Sequence, residues 1–199
     1  LIALPSAAGL YILSSPIIHI LFERGAFLSE DTFYTAKVLS LFALGLPAYI
    51  VIKILVTCFF AREDTKTPLY ISIISVIINI VLSLILIGSM REMGIALATA
   101  ISAWVNALLL FIILRFNKNF ILDSKLITNT FKIFISVILM ALGCYFLNLI
   151  IFANIQDLSL LFKAGNLFLI IVCCNILYFG MIFMLKVLTI QDLKRYIQK

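Results

Sequence analysis

Charge is what this sequence has least of. Lys, Arg, Asp and Glu make up 12% of its 199 residues, against about a quarter in a soluble domain. A soluble enzyme of this length needs a polar shell that so few charges do not supply. A disordered chain is excluded as well, because it requires low hydropathy and high charge. Histidine occurs once, as His19, far in sequence from Cys58, Cys144, Cys173 and Cys174. No CxxC pair is present, so neither a zinc site nor a disulfide framework is supported. All four cysteines lie inside apolar runs and read as small hydrophobes. The carboxylates are few and scattered. Glu30-Asp31 and Glu63-Asp64 are adjacent pairs, and a metal-dependent membrane enzyme would need further ligands from elsewhere.

What is present is apolar. Hydrophobic residues form 64% of the chain, and mean hydropathy is +1.23. At about 20 residues per span, this length accommodates roughly six transmembrane helices. The runs predict spans near 1–22, 35–60, 68–87, 94–114, 132–153 and 165–185. β-Branched stretches such as Ile71 to Ile87 are too long and too uniformly apolar for membrane strands. Helices also satisfy their own backbone hydrogen bonds in lipid. The chain opens on Leu1 with no basic segment before its first apolar run, which reads as an internal or C-terminal piece of a longer protein. No internal repeat is evident.

The net charge of +6 is confined mostly to loops, which points to membrane topology and not to nucleic acid. One set of alternate loops carries Arg62, Lys66, Arg115, Lys118, Lys125 and Lys132, and the tail adds Lys186, Lys194, Arg195 and Lys199. The opposite set carries Arg24, Arg91 and Lys163. The positive-inside rule places the richer set, and the C-terminus, in the cytoplasm. Val187, Leu188, Ile190, Leu193 and Ile197 in the tail fit either a short amphipathic helix on the inner face or a frayed end.

Lys53 is the least comfortable residue. It precedes Arg62 by nine positions, about 13 Å along a helix, too deep to snorkel with ease. An unpaired charge at mid-bilayer costs at least ~2.5 kcal/mol. Tyr49 and Thr57, at i−4 and i+4, put polar groups on the same face. Lys53 is either a functional cation in a wet cavity or a structural lysine paired to a carboxylate on another helix. Pro5 and Pro16 in span one and Pro47 in span two predict kinks. Pro68 falls in the first turn of span three, where it is tolerated.

Spans three and four carry polar stripes: Ser72, Ser75, Asn79 and Ser83 on one, Thr99, Ser102 and Asn106 on the other. Gly94, Ala96, Ala98, Ala100 and Ala103 allow close helix approach. The stripes read as interhelical glue or as an oxygen-lined site for a monovalent cation. In the loop from Ala61 to Pro68, Asp64, Thr65 or Thr67 is placed to cap span three. Arg62 and Lys66 then act as a topological anchor or meet anionic headgroups or a pyrophosphate.

Four blocks carry a resemblance. They are Leu21-Phe22-Glu23-Arg24-Gly25-Ala26-Phe27; Gly45-Leu46-Pro47-Ala48-Tyr49 with Lys53-Ile54-Leu55; Phe60 through Pro68; and Met93 through Thr99 with Ala103-Trp104-Val105-Asn106-Ala107. In order and spacing they resemble the C-terminal part of the MurJ/MviN lipid II flippase family. Residues 1–115 carry most of the specificity, and 116–199 match by hydropathy and position. The resemblance implies an all-α integral membrane protein, the last six of fourteen helices of an exporter-superfamily (MOP-type) fold in a bacterial inner membrane. Residues 1–115 would be four helices of the second transport lobe. Residues 116–131 would be a cytoplasmic loop, 132–185 two extra C-terminal helices, and 186–199 a cytoplasmic tail.

The resemblance further implies the activity and its partners. The family moves undecaprenyl-pyrophosphate-linked peptidoglycan precursor between leaflets by alternating access, without covalent chemistry or a cofactor. Its partners here would be that precursor, membrane lipids and the upstream helices. Lys53, Arg62 and Lys66 would meet substrate, with Pro47 bending the helix. Some members bind sodium. Asn79, Thr99 and the Ile95 carbonyl match that site, while Ser83 stands where an acidic ligand is expected, leaving coupling to membrane potential open. Three other readings stand beside this one. They are a drug or polysaccharide exporter of the same superfamily, an inactive split-gene fragment and a polyprenyl-phosphate membrane enzyme.

Overall fold

The computed structural model describes residues 1–116, 124–152 and 159–187. Seven helices are found among them: α1 (Ala3–Ile12), α2 (Ser14–Phe22), α3 (Ser29–Phe60), α4 (Lys66–Met90), α5 (Glu92–Phe116), α6 (Ser124–Phe152) and α7 (Leu160–Met184). The last five are each long and apolar enough to cross a membrane, and α1 with α2, bent by 67°, makes a sixth where the pair is counted as one span. The protein is therefore an all-helical, multi-pass membrane protein. Residues 188–199, and with them the amphipathic-tail expectation beyond Val187, lie outside the described residues, as do 117–123 of the loop expected over 116–131.

The helices overrun the apolar runs. α3 begins at Ser29 and not near residue 35, and α6 at Ser124 and not at Lys132. Hydropathy marks the hydrocarbon-buried part, whereas helical hydrogen bonding continues into the interface. At the start of α3 the Leu28 N–H donates to the Asp31 carboxylate at 2.9 Å. Glu30 and Asp31 also suit the positive end of the helix dipole.

The prolines act differently from one another. The first span bends by 67° at Leu13, one turn before Pro16, which has no N–H to offer the Ile12 carbonyl. The Ser14 hydroxyl takes the adjacent Tyr11 carbonyl at 3.1 Å. Pro5 lies in the first turn of α1 and makes no break, contrary to expectation. Nor does Pro47 interrupt its span: α3 runs through it as one helix. Pro68 is buried in the first turn of α4, as expected.

Two compact units are present. In the one containing α2 to α5, α5 is the central helix, packed on α3 and on α4. Its alanines are buried on both sides: Ala96 and Ala98 are fully inaccessible, and Ala100, Ala103 and Ala107 nearly so. Leu55, Phe59, Ile71, Leu110 and Leu114 form a larger-residue cluster in the same unit. Because lipid is as apolar as these side chains, van der Waals packing and not water expulsion holds them together. In the other unit α6 packs on α7, with Ser136, Cys144, Ile170 and Ile182 fully buried. The Lys132 ammonium donates to the Leu185 carbonyl at 3.0 Å, capping the end of α7.

Gly94 sets the α4–α5 spacing. A Cβ there would sit 2.7 Å from the Leu86 carbonyl carbon and oxygen, whereas one at Gly88 meets nothing within 4 Å. Backbone cannot yield as a side-chain tip does, and overpacking of this kind costs roughly 1–3 kcal/mol. Gly94→Ala in the full-length protein is expected to lower its melting temperature in detergent and its membrane yield, with Gly88→Ala near neutral. Equal melting for the two variants would contradict this packing.

Candidate functional site in the membrane-spanning unit

Helix α3 delivers a polar face to the apolar region. Tyr49, Lys53 and Thr57 are all exposed, at successive helical turns. The Thr57 hydroxyl returns to the Lys53 carbonyl at 2.8 Å, so it does not engage the ammonium through that bond. Among the described residues the Lys53 ammonium has no ion pair or hydrogen bond. That keeps both expectations for it alive and excludes a carboxylate partner within the described part of the chain.

The α3–α4 connection is built by backbone geometry. The Asp64 N–H reaches the Phe59 carbonyl at 3.2 Å, and the Glu63 N–H reaches Phe60 at 3.0 Å. These are the paired bonds of a Schellman ending, with Glu63 in the left-handed position at φ 60°. Asp64 then turns forward. Its carboxylate accepts the Thr67 N–H at 3.0 Å, so Asp64, of the three expected candidates, caps α4. Thr65 is the residue flanking the helix and makes no capping bond with its side chain. Arg62 and Lys66 are both exposed on this turn.

The polar stripes of α4 and α5 meet. The Asn79 amide donates to the Thr99 hydroxyl at 3.2 Å and to the Ser102 hydroxyl at 3.0 Å. Ser83 donates to the Asn79 side-chain carbonyl at 3.3 Å, and Thr99 donates to the Ile95 carbonyl at 2.8 Å. All four residues of the expected sodium site are thus brought together, but as a chain of mutual hydrogen bonds. Sodium needs several oxygens aimed at one point. Here the Asn79 NH₂ points at Thr99, the Ile95 carbonyl already accepts one hydroxyl, and the set contains no carboxylate. In this arrangement the four residues form an interhelical hydrogen-bonded network.

Beside this network lies a groove of about 350 Å³ lined by Tyr49, Ser72, Ser75, Asn79, Ser102 and Asn106 among others. The Asn106 side-chain oxygen is buried with no partner among the described residues. Lys53 is not among the groove's lining residues, although Tyr49 one turn away is. Two features went unread in the sequence. The Glu23 carboxylate joins His19 Nδ1 at 2.7 Å and the Thr32 hydroxyl at 2.6 Å, tying the end of α2 to the first turn of α3. The His19/Glu23 spacing of four was the available signal. Trp104 donates its ring N–H to the Leu44 carbonyl at 3.0 Å, a bond that no local pattern announces.

The cap has a defined pH response. Thr67, through its backbone N–H first and its hydroxyl second, holds the Asp64 pKa below the ordinary value, and Lys66 adds to this. A depressed folded pKa stabilises above the unfolded value, about 3.9, and the contribution fades as pH falls through the folded one. Thermal stability of the full-length protein at neutral pH is expected to fall in the order wild type, Asp64→Asn, Asp64→Ala. The gap between the first two should close on acidification below about pH 4. An Asp64→Ala protein as stable as wild type would remove the cap.

Comparison with known proteins agrees with this architecture. The family model described as lipid II flippase MurJ matches residues 1–187. A probable lipid II flippase MurJ of Rickettsia prowazekii is 37% identical over 192 residues, covering 96% of this chain and 38% of the relative. Those of Rhizobium meliloti and Rhizobium tropici are 42% and 33% identical, covering 72% and 100% of this chain but 27% and 37% of the relatives. The chain thus spans little more than a third of these relatives' length at most. With the match running through all seven described helices, the chain belongs to the MurJ lipid II flippase family.

Proposed function

We propose that this chain is the C-terminal portion of a flippase that carries undecaprenyl-pyrophosphate-linked peptidoglycan precursor across the bacterial cytoplasmic membrane by alternating access. The observation that carries the reading, alongside family membership, is Lys53: an exposed cation without a partner among the described residues, far inside a 32-residue apolar helix. Facing lipid it would cost at least ~2.5 kcal/mol. Facing a water-filled cavity it attracts a pyrophosphate through charge-assisted hydrogen bonds. Arg62 and Lys66 extend the positive charge toward the end from which an anionic headgroup enters. The cavity is completed by helices outside this chain, so activity belongs to the whole protein. The Asn79–Thr99 network acts as glue in this reading.

The proposed orientation puts the Arg62–Lys66 turn and the C-terminus in the cytoplasm and the Glu30 end of α3 in the periplasm. A membrane-impermeant thiol reagent applied to intact cells is expected to label Glu30→Cys and not Asp64→Cys, in a background without the native cysteines. The opposite pattern inverts the topology.

The charge at Lys53 is tested in the full-length protein. Lys53→Met keeps length and removes charge, so membrane insertion should persist while rescue of flippase-depleted cells falls at least tenfold. Lys53→Arg should retain part of the activity, because charge survives and shape changes. Full rescue by Lys53→Met at matched expression would end the cavity-cation reading, and lost expression would point to a structural ion pair.

A further inference from the structure

Trp104 is the one tryptophan of the chain. It sits at the middle of α5, and the residue is 42% exposed, yet its N–H is committed to another helix, at the Leu44 carbonyl. That carbonyl lies three residues before Pro47. The missing N–H of Pro47 leaves the neighbouring Ala43 carbonyl without its helical donor, and the ring crowds it. α3 continues through this point with one rung absent. The two backbones come close enough for the indole to reach because side chains here are small. A Cβ on Gly45 would be 3.3 Å from the Ala100 Cα, and Ala48 packs on Ala103 and Ala107.

We propose that Trp104 is a positioning residue for transport, whose indole N–H clamps the proline-weakened turn of α3 to α5 and fixes the direction of the α3 segment bearing Lys53 and Arg62. Its consequence for transport rests on the flippase reading; its mechanics do not. In hydrocarbon no water can replace the bond, so opening it exposes an unpaired donor. With the bond closed, α3 holds one course. With it open, the helix bends where the rung is missing.

Spin labels at Phe42→Cys and Phe60→Cys bracket Pro47 at exposed positions, about 27 Å apart along the helix. Distances are measured in the full-length protein lacking native cysteines. Trp104→Phe keeps the ring and removes the donor. It is expected to broaden the distance distribution and to slow flipping about three- to tenfold, the range an interhelical hydrogen bond commands in membranes. Adding Pro47→Ala restores the missing N–H and should narrow the distribution again. An unchanged distribution in Trp104→Phe overturns the clamp, as does broadening that Pro47→Ala leaves undiminished. If Trp104→Phe does not accumulate, Trp104→Leu, which also lacks the donor, is measured in its place, and an unchanged distribution overturns the proposal. A protein whose distances respond as expected but which flips no lipid II keeps the clamp and loses the flippase reading.

Discussion

Inside the hydrocarbon of a bilayer there is no water to accept or donate a hydrogen bond, and most of this structure follows from that single constraint. It makes every span a helix. It also directs polar side chains toward the places where helices fall short. At the break before Pro16, Ser14 serves the Tyr11 carbonyl. At the helix starts, in the wetter interface where water competes, Asp31 and Asp64 still accept N–H groups that have no helical partner. At the end of α7, Lys132 serves a terminal carbonyl. Trp104 obeys the same requirement from the other side, finding an acceptor on α3 for a ring N–H that lipid cannot satisfy.

The second consequence concerns association. Side chains gain nothing by leaving lipid for an equally apolar interior, so close backbone approach and interhelical hydrogen bonds decide which helices pair. α5 holds its unit together through alanines and Gly94, and the Asn79 amide adds two bonds across to it. Lys53 takes no part in this packing. Its charge, without a partner among the described residues, must be met by something outside them.

Much of this was legible from residue order. The apolar runs located each span, because about 20 apolar residues are required to cross and few other structures supply them. Pro68 marked the first turn of α4, and the loop before it held the cap. Local pattern left three candidates for that cap, and only the backbone turn through Glu63 selected Asp64. The start of α3 was missed because Ser29-Glu30-Asp31 reads as loop by hydropathy while acting as a capped helical turn. Pro16 and Pro47 look alike in sequence. The first breaks its span and the second does not, and α3 around Pro47 lies in close contact with α5.

The sequence by itself determined that the chain is helical and membrane-spanning, where its spans lie, and which family it resembles. These depend on composition over 20-residue windows and on contiguous blocks, which are local properties. The tertiary structure alone decided which polar groups are already paired. Asn79, Ser83, Ile95 and Thr99 read as glue or as cation ligands, because a stripe on one helix does not reveal what its neighbour presents. Once α4 and α5 are packed, these groups are seen to hydrogen-bond one another across the two helices. Residues 44 and 104 meet for the same reason: pairing across 60 positions depends on helix spacing, which the small residues at their contact set and no local periodicity encodes.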